Sequence, residues 1–178
     1  MKKITLPIIM IIALLFATNC FADWKDSWTI NGIPLNKFKN ATITEYAEFG
    51  LGIGTSFLAH WGSHALYCEV EGIKWHQEGL TEVFDQRITG SQRRNFGWSG
   101  FVGQLALGTI IKFTPLNDTM FGTGFHIGNF LEVATYPAIH GYDEGDIRDM
   151  GYEKGNIGKI GHIGLTIWSA ANLIDYAK

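Results

Sequence analysis

A chain of 178 residues is long enough for one domain with a buried core. Its net charge of -3 gives no electrostatic footprint for nucleic acid, which is excluded as a partner. With 22 glycines, only 17% charged residues and a mean hydropathy of +0.06, the composition falls between a soluble enzyme and a multi-span transporter.

Residues 1–22 read as an export segment, either a signal peptide or an uncleaved signal anchor. Lys2 and Lys3 give a basic start, Ile8 to Phe16 an apolar stretch, and Cys20-Phe21-Ala22 small residues at the two places that cleavage before Asp23 needs. A lipoprotein signal at Cys20 fits poorly with the preceding Ala17-Thr18-Asn19. After cleavage Cys68 alone would remain, so no internal disulfide is expected. Residues 23–42 are a polar lead-in with scattered Trp and Lys.

Residues 43–178 read as a helical membrane domain with a polar loop at 69–95. Phe49 to Cys68 is uncharged and about long enough to cross a bilayer as a helix. Phe96 to Ile111 is a second uncharged run, closed by Lys112 and Pro115. Thr119 to Ile139 is a third, interrupted by Glu132, which in lipid needs a partner such as Lys112 or Arg148, or a cavity, and in a soluble helix marks an exposed face. Tyr136-Pro137 predicts a kink or helix end there. His140 to Asn156 is acidic and Gly-rich, and Ile160 to Ile174 is a fourth apolar run.

The expected fold is therefore mainly α: a small Gly-rich bundle of about four membrane helices after the signal segment. Each run carries a stripe of small or polar residues. Gly52, Ser56, His60 and His64 follow four-residue steps, as do Gly100, Gln104 and Gly108, while His162, Thr166 and Ser169 share a face. Gly124 and Gly128 do the same in the third run, with His126 and Asn129 nearby as an interhelix polar contact. The basic residues Lys74, Arg87, Arg93, Arg94, Arg148 and Lys154 would lie on the cytoplasmic side. That topology places the protein in the inner (cytoplasmic) membrane, the periplasm being the alternative. Short runs also suit a soluble exported helical domain. An outer-membrane barrel is disfavoured because clean alternating ten-residue segments are missing.

The most informative segment is His60-Trp61-Gly62-Ser63-His64. Histidines at i and i+4 of a helix share one face, the spacing at which two imidazoles grip a zinc ion; core packing with interhelix hydrogen bonds is the alternative use of the pair. On the expected topology His140, Asp143, Asp146 and His162 come to the same side of the membrane. His76, in the polar loop, is a surface residue. Gly50-Leu51-Gly52-Ile53-Gly54 lacks the Lys-Ser/Thr ending of a phosphate loop, and Ser63 lacks the glycines of a nucleophile elbow.

His64-Ala65 is followed by Glu69, Glu71, Gly72 and Ile73-Lys74-Trp75. In that order the segment from His60 to Trp75 resembles the zinc helix of membrane-embedded metallopeptidases of the site-2 protease kind, over about a tenth of the chain. The resemblance implies His60 and His64 as zinc ligands and a third ligand, an aspartate, from a later helix. The family's Asn-Pro-Asp-Gly or Leu-Asp-Gly motif does not occur. Tyr142-Asp143-Glu144-Gly145-Asp146 is the nearest acidic stretch, and either Asp146 or Asp143 would serve. The family's catalytic Glu is replaced by Trp61. A metal-activated water needs a base beside it, so an unmodified protease mechanism is not expected.

The first functional expectation is thus a metallopeptidase-like integral membrane protein with a His-x-x-x-His metal site, proteolysis lost or altered, and a protein or peptide partner. A non-enzymatic membrane scaffold and an exported soluble helical domain are the alternatives.

Overall fold

Threonine side chains start the three longest helices. Thr42 caps α1 (Ile43–Val70) and Thr89 caps α2 (Gly90–Lys112), each in a reciprocal box with Glu45 or Gln92 three residues on. Thr119 caps α3 (Met120–His140) by accepting from the Gly122 amide. Two more helices follow, α4 (Gly145–Met150) and α5 (Ile157–Leu173). The computed structural model describes residues 29–30, 33–34, 38–79 and 81–173. The segment expected at 1–22, and part of the lead-in at 23–42, lie outside the described residues.

The helices fall close to the apolar runs of the sequence because charged residues bracket those runs. Two features add detail to the polar segments between these runs. The polar loop at 69–95 contains a hairpin, β3 (Trp75–Glu78) with β4 (Thr81–Phe84), after the short pair β1 (Thr29–Ile30) and β2 (Ile33–Pro34). Its register pairs Trp75 with Phe84 and Glu78 with Thr81, and the turn uses Gly79 at φ +64. Trp75 and Phe84 pack on Cys68, Ile73 and Phe96, tying the hairpin to the ends of α1 and α2. His76 is exposed there, and Glu78 and Asp85 raise its pKa by hydrogen bonding. The second feature is α4, a single short helix inside the acidic stretch.

Pro137 does not end α3, which continues to His140. Proline has no N–H, so the Val133 carbonyl one turn back lacks its helical donor. His162 Nε2 on α5 lies 2.7 Å from that carbonyl and donates to it. α1 packs mainly on α3. A β-carbon at Gly52 would overlap the Phe121 carbonyl, and one at Gly124 would overlap Phe49, so the two backbones touch. A second core joins α2, α3, α4 and α5 through Phe101, Leu105, Val133, Ile147, Met150 and Leu165.

The mainly α fold is as expected; the expectation that its helices are membrane spans is not met by their hydropathy. Among the described residues no helix is long and apolar enough to cross a membrane. The reason lies in how each helix divides its faces. On α1 the buried positions are Gly52, Ser56, His60, His64 and Cys68, whereas Leu51, Phe57, Leu58 and Leu66 are exposed. On α5, His162, Ser169 and Asn172 are buried, whereas Ile160, Ile163 and Ile167 are exposed. Inward-facing Gly, Ser, His and Asn lower the mean of helices whose outer faces are apolar.

Candidate metal centre

The α1 stripe brings His60 and His64 to the side facing α2 and α4, both almost fully buried. α4 supplies Asp146, 8% exposed. His60 Nε2 lies 3.1 Å from His64 Nε2 and 3.1 Å from Asp146 Oδ2. His64 Nε2 lies 3.4 Å from Asp146 Oδ1. One donor atom from each of the three residues lies within 4.8 Å of the other two, close enough to share one metal ion. Zinc–nitrogen and zinc–oxygen bonds of ~2.0–2.1 Å in a tetrahedron put neighbouring ligand atoms about 3.3 Å apart.

The surrounding hydrogen bonds fix the proton on each ring. Gln104 Nε2 donates to Glu132 Oε2 at 2.6 Å, so its Oε1 faces His60 and accepts from His60 Nδ1 at 3.2 Å. Ser99 Oγ spends its one hydrogen on the Phe96 carbonyl at 2.8 Å, so it accepts from His64 Nδ1 at 3.1 Å. Both histidines therefore carry Nδ1–H and, when neutral, present Nε2 lone pairs inward. Phe96 stacks on His64, with ring centroids 4.2 Å apart, and Phe101 meets His60 edge-on at 4.8 Å. Two imidazole lone pairs and a carboxylate facing one another in a buried space require a cation between them, a proton or a metal.

Asp146 is held from three sides. Tyr136 Oη donates to Asp146 Oδ2 at 3.1 Å and accepts from the Asp146 amide at 2.9 Å. A β-carbon at Gly97 would lie 2.6 Å from the Asp146 carbonyl oxygen, so α4 rests directly on the α2 backbone. Asp149, one turn on, pairs with Arg93 at 3.0 Å and Arg148 at 2.9 Å. Burial opposes ionisation of Asp146, but its interactions with His60 and His64 outweigh burial and hold the carboxyl well below the usual carboxylate range.

Of the two aspartates expected as a third ligand, Asp146 joins the pair and Asp143 does not. Asp143 is exposed and sits 3.6 Å from Lys159. His140 is exposed and packs on the Tyr136 ring. His162 serves the Val133 carbonyl instead of the centre. His126 makes no hydrogen bond to Asn129 or to any other described residue, although it is fully buried. Glu132 pairs with neither Lys112 nor Arg148 but with Gln104, and lies 3.6 Å from His60 Nδ1. The sequence reading missed the supporting roles of Gln104, Ser99 and Tyr136. The signal for Gln104 was present, a polar residue inside an uncharged run on the stripe of Gly100 and Gly108.

Trp61, in place of the metallopeptidase glutamate, is 38% exposed and belongs to the outer face. Glu132 stands beside Nδ1 of His60, away from the converging Nε2 atoms. Glu45 and Glu48 sit three turns or more back along α1, about 18 Å or farther at 1.5 Å per residue. The arrangement can grip an ion, but among the described residues no further carboxylate is placed beside it to take a proton from bound water. Compared with protein-family models, curated proteins and solved structures, the chain has no match.

Proposed function

We propose that this chain is a metal-binding membrane protein in which His60, His64 and Asp146 hold one divalent ion of the zinc class. The reading follows the sequence resemblance of His60 to Trp75 to membrane-embedded metallopeptidases, with Trp61 where their catalytic carboxylate would stand. The observation that carries this reading is the convergence of two Nε2 lone pairs and a carboxylate, each ring oriented by a partner on its far nitrogen. Two imidazoles and one carboxylate favour zinc and its first-row neighbours over magnesium and calcium, which prefer all-oxygen shells. Three protein ligands leave one position for water or a small ligand. With no base beside that position, proteolysis is lost or altered, since general-base help is worth 10²–10⁴-fold.

The division of faces supports a bilayer as the surroundings of the helices. A mean over a helix averages the buried polar face with the outer one, while lipid would meet only the outer one. From Phe49 to Cys68, α1 carries no Asp, Glu, Lys or Arg, a rise of about 30 Å that matches a hydrocarbon core. α2 is free of them from Asn95 to Ile111, and α5 from Ile160 to Leu173.

Elemental mass spectrometry on detergent-purified protein tests the centre. About one zinc per chain is expected, and none in the His60→Ala/His64→Ala double variant. A well-folded wild type without metal would make the histidines packing groups and favour a scaffold role. Alkaline carbonate extraction tests the surroundings: the full chain should stay with the membranes, and release into the soluble fraction would overturn that part.

A further inference from the structure

Gly100 faces the centre from α2. A β-carbon there would stand 2.6 Å from His60 Nε2 and closer still to His64 Nε2. Those are the two nitrogens whose lone pairs face each other, and the separation is close to that of a metal–nitrogen bond, ~2.0–2.1 Å. Any side chain at position 100 would thus occupy the space an ion needs. Gly103, one turn on, would meet only Ser63, and Gly97 meets backbone of α4. At Gly100 the nearest atoms are the ligating nitrogens themselves.

We infer that Gly100 is the residue that keeps the metal position open, and that the α2 backbone behind it limits the ion's remaining ligand to one of water size. This rests on the metal reading above and deepens it. His60, His64 and Asp146 are each at least nine-tenths buried, and Phe96 and Phe101 close two sides with ring contacts. A peptide bond with its flanking side chains has no room beside such an ion. The ligand class is water, hydroxide or a small anion such as azide.

The experiment compares cobalt(II) binding by wild type, Gly100→Ala and Gly54→Ala, a position where a β-carbon meets nothing within 4 Å, in detergent, read from the visible absorption of the bound ion and by competition with a chromophoric chelator. The expected result is wild-type binding, loss of about 100-fold in affinity for Gly100→Ala, and little change for Gly54→Ala. If Gly100→Ala binds within about threefold of wild type, or both variants lose the ion alike, the inference is overturned. A second measurement on cobalt-loaded wild type does not depend on the variant folding. Azide should shift the spectrum and a bulky arylhydroxamate should not. A shift with the hydroxamate would overturn the water-sized limit. Failure of wild type to bind any ion would refute the metal reading itself, a different result from a variant that binds as well as wild type.

Discussion

At the scale of single residues, the centre depends on where protons sit. Ser99 has one hydrogen and uses it on a backbone carbonyl, and Gln104 turns its amide nitrogen toward Glu132. These two facts orient both imidazoles without reference to any ion. Gln104→Leu should remove the acceptor for His60 Nδ1–H and free that ring to turn. Zinc affinity is expected to fall about 10–100-fold, measured by chelator competition, because outer partners set ring orientation and basicity. Unchanged affinity would mean that Gln104 only fills space. The residue scale was partly legible. The i, i+4 histidines announced themselves by spacing. Asp143 and Asp146 did not separate, because three residues of backbone decide which one turns toward Tyr136 and which toward Lys159.

Among the elements, α1, α2, α3 and α5 follow the uncharged runs because desolvating a charge inside a helix contact is costly, so charges gather at the ends. The six-residue α4 was not legible, since a helix that short shows no periodicity and its sequence reads as an acidic turn. The junction of α3 and α5 also lay beyond sequence reasoning. Pro137 warned of a break, yet the helix persists because His162 takes up the freed carbonyl from another helix. His162→Leu would leave that buried acceptor unsatisfied. A loss of about 1–3 kcal/mol in stability is expected, seen as a lower Tm in detergent, with zinc content unchanged. Loss of zinc in a folded variant would instead tie His162 to the centre.

At the scale of the molecule, the described residues place many polar side chains inside and many apolar ones outside. Buried Ser56, Gln104, Thr123, His126, Asn129, Ser169 and Asn172 contrast with exposed Leu51, Leu58, Ile110, Ile160, Ile163 and Ile167. In water, large apolar patches are a liability, whereas in lipid they match their surroundings. The two media give opposite expectations for Ile163→Lys. In a bilayer the added charge should cost about 2.5–3.5 kcal/mol and sharply reduce membrane-integrated protein. On a water-facing surface the change should be within about 0.5 kcal/mol. Quantifying membrane-integrated protein for the variant against wild type separates them. Sequence averages conceal this property, since it depends on which face each residue occupies.

Asp146 comes from a small helix of its own. α4 rests on the bare backbone at Gly97 and is held by the Arg93–Asp149 pair. On the metal reading proposed above, two ligands would share one long helix and the third would come from this short one. The ion's residence time would then be a property of docking, set by how fast α4 parts from α2 rather than by separation of the long helices.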